Sequence, residues 1–171
     1  MTIHSDHPFL TPEGDRDPAR RLRGRLAAPV TLWTAYEGDR PAGLPVASVL
    51  VAAGEPSRVL GLIDPDSDLY DALQRSGVFA VTVLGWQHRA LADAFAGVSP
   101  APGGPFRLAE WSSTAWGPAL AEPVTWAGCR VESEPQPVGW GHLVTAVIEH
   151  VRLAEDDPEP MAYRRGRYLR M

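Results

Sequence analysis

From Pro29 to the C-terminus the apolar residues of this 171-residue chain fall in runs of strand length divided by turn residues, and this limits the fold more than any other feature. Val30, Leu32 and the run to Tyr36 read as a first strand, and Gly38-Asp39-Arg40-Pro41 as a turn into a second at Leu44–Val51. Glu55-Pro56-Ser57 turns the chain into a third strand at Val59–Ile63. Phe79–Leu84, Val124–Val131 and His142–Leu153 follow, the last two parted by a turn at Pro135–Gly141, and Tyr163–Tyr168 forms a short basic tail. Strands mostly follow strands, without regular helix alternation. The sheet is therefore expected to be largely antiparallel, and a closed barrel disposes of its edges best. The fold class is mainly β (α+β): a barrel of largely antiparallel strands with a few short helices.

Helical patterns interrupt the strands only briefly. Asp17 can cap a first helix with Pro18 at its opening position and Leu22 and Leu26 on one face. Ser67 can cap a second that carries Leu69 and Leu73 and stops at Gly77. Trp86–Ala96 reads as a third, with Leu91 and Phe95 on one side and Gly97 past its end. Residues 98–123 are rich in proline and glycine and carry Trp111 and Trp116; a connection of that length is expected to be a lid or binding loop. Residues 1–15 are polar and broken by Pro8, Pro12 and Gly14, a flexible arm ahead of one domain over 16–171.

Composition removes several function classes. The formal net charge of -5 argues against a general nucleic-acid binder, which needs excess cations facing phosphates. All 16 basic residues are arginine, so no lysine can form a Schiff base or serve a P-loop. Cys129 is the single cysteine, which excludes an intramolecular disulfide and a cysteine metal cluster, and its apolar neighbours suggest a buried thiol. No signal peptide or apolar stretch of membrane-spanning length occurs, so no membrane association is expected and a cytoplasmic location is the simplest.

Several motifs fail on counting. Asp64-Pro65-Asp66-Ser67-Asp68 opens like a calcium loop, but Leu69 stands where glycine is required and Arg75 where a bidentate glutamate is required. Gly139-Trp140-Gly141 opens like a dinucleotide fingerprint, yet Val144 occupies the third glycine position, so a turn is expected. His4 and His7 lie in the arm, His150 reads as a strand residue facing water, and the arginines from Arg16 to Arg25 as a solvated helix face; no metal site is expected. No Gly-x-Ser-x-Gly elbow is present.

Nine segments in order nevertheless resemble one family. Pro29-Val30-Thr31-Leu32-Trp33-Thr34, Gly43-Leu44-Pro45-Val46-Ala47-Ser48-Val49, Leu60-Gly61-Leu62-Ile63-Asp64 with Ser67, and Ser76-Gly77-Val78-Phe79-Ala80-Val81-Thr82-Val83-Leu84 come first. Gln87 with Leu91 to Gly97, Gly117-Pro118-Ala119-Leu120, Cys129-Arg130-Val131, Gly141-His142 and Pro160 to Tyr168 complete the order. From about residue 20 to residue 170 the chain resembles the flavin reductase-like family of FMN-binding split barrels.

The resemblance implies a flavin-binding oxidoreductase that reduces FMN or FAD with NADH or NADPH and supplies reduced flavin to a monooxygenase. It implies a homodimer with flavin at the subunit boundary. It assigns flavin contacts to Thr31, Val46, Ala47, Ser48, Ile63, Asp64, Ser67, Phe95 and Ala96, and a catalytic position on the nicotinamide-facing side to His142. Flavin carries the hydride chemistry itself, so no further acid or base is required. Four positions depart from the pattern: Pro45 for the usual Thr, Ala47 for Ser or Asn, Gly141 for the Asp before His142, and Ala146 for a Gly. Pro45 removes both a hydroxyl and an N–H from the phosphate side. Arg89 or Arg107 could compensate. Two alternatives follow: a non-catalytic or stably flavinated FMN-binding protein, and a split barrel adapted to a deazaflavin or to haem, with His142 or His150 as haem ligand.

Overall fold

In the computed structural model, which describes residues 17–156 and 158–171, the chain enters through helix α1 (Pro18–Arg25) and then runs almost entirely as strands. These are β1 (Ala28–Pro29), β2 (Thr31–Glu37), β3 (Arg40–Val46), β4 (Val49–Ala52) and β5 (Arg58–Ile63). Helix α2 (Asp68–Ser76), β6 (Val78–Val83) and α3 (Arg89–Phe95) follow. The second half holds β7 (Trp111–Thr114), β8 (Gly117–Leu120), β9 (Trp126–Val131), β10 (Gln136–Val138), β11 (Gly141–Arg152), β12 (Met161–Arg164) and β13 (Arg167–Arg170). The arm expected over residues 1–15, with His4 and His7, lies outside the described residues.

The main sheet runs β3-β2-β6-β9-β11-β5-β4, with β10 added on β11, and every pairing is antiparallel. Its two end strands are consecutive in the chain, parted only by Ala47 and Ser48. One bent segment therefore pairs with β2 on one side and β5 on the other, and so closes the sheet into a barrel. The sequence reads Leu44–Val51 as one strand; the bend divides it because the second half must leave β2 for β5.

Period-2 alternation sorts the side chains. Trp33 and Ala35 of β2 point inward with Val46, Val59, Ile63, Phe79, Val81, Cys129, Val144 and Ala146, and α2 plugs this core with Leu69, Ala72 and Leu73. The indole of Trp33 stacks on Phe79 with centroids 4.6 Å apart. The alternate β2 residues are buried too, because a second layer covers them: Leu32 lies under α3 with Leu91, Ala92 and Phe95, and Leu120, Val124 and Met161 join it.

Residues 98–123 are largely a packed element, not an open lid. They contain a 3-10 turn at Pro105–Leu108 and the β7–β8 hairpin, whose second strand is buried throughout. The Thr34 hydroxyl donates to the Pro118 carbonyl at 2.5 Å, and Gly117, at φ +130°, lets the backbone lie flat on Thr34 and Ala35. Phe106 and Trp111 close an aromatic cluster on Phe95, with centroids 4.8 and 5.8 Å from its ring. Proline and glycine signalled a loop, but the tryptophans and Leu120 bury enough apolar area to hold the hairpin down.

The helix reading holds for α1 and α2. Ser67 caps α2, and Gly77 ends it in the left-handed region at φ 67°. Asp17 caps α1, which buries none of its residues. The Trp86–Ala96 helix begins as a 3-10 turn at Trp86–His88 before α3. There the buried His88 accepts the Gly85 N–H on Nδ1 at 2.9 Å and bonds Glu122 through Nε2. The tail is a β12–β13 hairpin that also pairs β1, and the Arg165 N–H and Arg164 guanidinium tie it to the Gly24 and Arg25 carbonyls of α1. Among the described residues no helix is long and apolar enough to cross a membrane.

Candidate functional site

The end of β5 gathers residues from four parts of the chain. The Leu62 N–H donates to the Ser48 carbonyl at 3.1 Å, and Ile63 stands opposite His142 of β11. Ser48 and His142 thus flank β5 from either side, about 10 Å apart at two strand spacings. Asp64 and Ser67 follow directly in the turn to α2. There the Ser67 hydroxyl donates to the Asp64 carbonyl at 2.6 Å and accepts the Tyr70 N–H at 3.2 Å.

Tyr70 was not legible as a site residue in the sequence. Its hydroxyl lies 2.7 Å from His142 Nδ1, with the two rings edge-on at 86°. The local signal was only that Tyr70 stands three residues past the capping serine.

The bend at Ala47–Ser48 supplies polar groups that the ladders do not use. The β2–β3 register stops at Val46 and the β4–β5 register starts at Val49, so the backbone N–H groups of Ala47 and Ser48 fall outside both. The Ser48 side chain is exposed. Beside it an apolar strip crosses the outer face of the sheet: Leu50 stands opposite Leu60, Leu62 opposite Leu143, and Trp140 projects from the β10–β11 turn with 76% of its surface exposed.

The other expected contacts are placed differently. Thr31 is buried; its hydroxyl donates to the Val46 carbonyl at 2.6 Å and accepts the Trp33 indole N–H at 3.0 Å, so it holds the seam of the barrel from within. Val46 and Ile63 are buried, which leaves only their backbone near the surface. Phe95 packs on β3, where a Cβ on Gly43 would sit 2.7 Å from its ring, and Ala96 follows it exposed on the outer face. Phe95 and Ala96 therefore mark the Gly43 end of the seam, and His142 the opposite end. Ser67 has both hydrogen-bonding roles occupied by its own turn, and Asp64, Asp66 and Asp68 surround it with carboxylates. Arg89 stacks over Trp86, its guanidinium carbon 5.0 Å from the ring centroid, and Arg107 lies against Gly103; among the described residues neither bonds into the cluster. His150 is exposed on β11 as expected, but it is stacked on Trp116 and tilted against Trp126.

This donor set fits a flavin. Backbone N–H groups and the exposed Ser48 hydroxyl at the bend suit its phosphate and ribityl oxygens, and the Leu50–Leu62–Leu143 strip suits its ring. The description of a flavin reductase-like domain matches residues 23–171. The chain belongs to the flavin reductase-like family. Among curated members, this flavin reductase-like chain is 28% identical over 155 residues to the reductase component of a 4-nitrophenol 4-monooxygenase/4-nitrocatechol 2-monooxygenase of Rhodococcus opacus, covering 90% of this chain and 80% of that one. It is also 28% identical over 158 residues to an NADH-dependent FMN reductase of Streptomyces nodosus subsp. asukaensis, covering 91% and 85%. The solved NADH:FAD oxidoreductase of Streptomyces globisporus, in complex with NAD and FAD fragments, superposes with a TM-score of 0.80 at 24% identity, over 95% of this chain and 96% of that one. At that identity the likeness is one of fold, and the split-barrel architecture of the family is the architecture seen here.

Proposed function

We propose that this flavin reductase-like protein reduces FMN or FAD with NADH or NADPH and releases the reduced flavin to a monooxygenase. The observation that carries this is the reach of the family domain over residues 23–171, which takes in every strand from β1 to β13 and both flanks of the β5 end. Flavin, when bound, supplies the hydride chemistry. The chain holds and orients. Ser48 and the backbone of Ala47 and Ser48 would hold the phosphate side, the strip at Leu50, Leu62 and Leu143 would carry the ring, and His142 would present its imidazole to the nicotinamide side.

Weak retention of flavin accords with release to a partner. Pro45 and Ala47 bring no side-chain donor, and the Ser67 hydroxyl is committed to Asp64. Each missing hydrogen bond to a charged phosphate costs about 1.5–3 kcal/mol. Tight, non-catalytic flavin binding is the competing reading, and it predicts a yellow purified protein.

Copies pair, in this proposal, through the outer apolar strip, as a homodimer with flavin at the boundary, in the NADH-containing cytoplasm. Trp140, with most of its surface exposed beside the strip, suits such an interface. The functional test follows NADH and NADPH oxidation with added FMN or FAD, alongside quenching of flavin fluorescence. Flavin-dependent oxidation is expected; the absence of both oxidation and quenching would sink the proposal, and quenching without turnover would favour the binding protein.

A further inference from the structure

The Tyr70–His142 hydrogen bond joins the first turn of α2 to the first residues of β11, 72 positions apart. We propose that Tyr70 is a positioning residue, whose phenol fixes His142 as the neutral tautomer protonated on Nε2, so that the imidazole meets a bound ligand as a hydrogen-bond donor. The tautomer is a property of the chain alone; its consequence for turnover rests on the role given to His142 under Proposed function.

Three observations lead there. The contact is 2.7 Å, the usual length for a hydroxyl donor and shorter than an N–H donor usually makes, and a phenol is the stronger donor and imidazole nitrogen the stronger acceptor of the two. The arrangement with least cost is therefore O–H donating to Nδ1, because the reverse would leave the half-buried phenol proton to find another acceptor. With Nδ1 accepting, the single imidazole proton resides on Nε2, and a second bond on one ring nitrogen is the usual way a tautomer is selected. The rings meet edge-on at 86°, with centroids 5.1 Å apart, so the phenol also restricts rotation of the imidazole.

Tyr70 is itself held. The capping hydroxyl of Ser67 accepts its backbone N–H and is anchored in turn on the Asp64 carbonyl, one residue beyond Ile63, which pairs with His142. The contacts form a closed ring: Ile63, Asp64, Ser67, Tyr70, His142. Ser67 therefore reaches the site through Tyr70, not through a ligand contact of its own.

The test uses the full chain labelled with 15N-histidine, without flavin, at a pH where imidazole is neutral. Resonances of His142 are assigned by their loss in His142→Gln. In wild type, Nδ1 should be pyridine-like and Nε2 pyrrole-like. In Tyr70→Phe both should move to the averaged positions of two exchanging tautomers, with circular dichroism unchanged. Replacement of tyrosine by 3-fluorotyrosine, a stronger donor of the same shape, should shift Nδ1 of His142 and keeps the question answerable if the Phe variant folds poorly. A proton on Nδ1 in wild type, or a tautomer unmoved by Tyr70→Phe, overturns the proposal. In turnover, Tyr70→Phe should lower kcat roughly threefold to tenfold, leave the flavin Kd within about twofold, and add nothing in a His142→Gln background. An equal further loss in that background overturns the proposal. Full activity of His142→Gln alone would instead remove the role given to His142 under Proposed function, and the resonances would still decide Tyr70.

Discussion

Gly61 lies directly beneath the indole of Trp33: a Cβ built on Gly61 would stand 2.6 Å from the indole edge. Gly61 is on β5 and Trp33 on β2, which are not neighbours in the sheet, so the contact crosses the barrel interior. It sets how closely β5, which carries the candidate site, approaches the opposite wall.

Gly61→Ala should therefore overpack the core, at a cost of about 1–3 kcal/mol. The indole cannot swing away, because it is stacked on Phe79 and bonded to Thr31. Thermal melting of the variant checks this. Gly54→Ala, where the nearest atom to a new Cβ is the Pro56 carbonyl oxygen at 3.6 Å, should melt close to wild type.

Two buried threonines should respond in opposite ways to the same substitution. Thr31→Val leaves the Val46 carbonyl and the Trp33 indole N–H without their hydroxyl partner, and should cost about 1–3 kcal/mol. The hydroxyl of Thr82 is fully buried and has no hydrogen-bond partner among the described residues. Thr82→Val should be neutral or stabilising, by about 1 kcal/mol. Chemical denaturation of both variants tests the pair, and destabilisation of equal size would contradict it.

Burial pushes the Cys129 thiol from its ordinary 9.0 up to about 12, with the nearby Glu149 charge adding to the effect. The folded pKa is raised, so the contribution is fully present below about pH 9 and is lost as pH rises from there toward 12. Stability should fall by up to about 1.4 kcal/mol per pH unit over that window, and less steeply in Cys129→Ala. The same burial predicts that the thiol resists alkylation in the folded protein and reacts once denatured.

The outer strip gives a further prediction. Leu62→Asp with Trp140→Ser places charge and polarity where Leu50, Leu62 and Leu143 form a continuous apolar face. Sedimentation should show a dimer in wild type and a monomer in the double variant, with the circular dichroism of the barrel retained. A wild-type monomer would refute the proposed pairing.

Much of the secondary structure was legible because its signals are local. Ser67 and Gly77 bound α2 through a side-chain cap and a left-handed backbone, both decided within a few residues. Gly139 turns β10 into β11 for the same kind of reason. The alternation in β5, with Val59, Gly61 and Ile63 inward, is equally a property of one strand.

The remainder depended on pairing across long loops. Nothing near Ala47 and Ser48 announces a bend; it exists because one segment must hydrogen-bond β2 before it and β5 after it. The β7–β8 hairpin looked like an open loop, and what holds it down is burial of Leu120 and its tryptophans together with the Thr34 bond to Pro118, 84 residues away. The candidate site divides along the same line. His142 and Ser48 were visible by resemblance, whereas Tyr70 became part of the site only when α2 was plugged into the barrel core, which brings its first turn to His142. Caps, turns and alternation are written in neighbouring residues and so belong to the sequence; closure of the sheet and the contacts it forces belong to the tertiary structure, because they exist only when distant strands share one core.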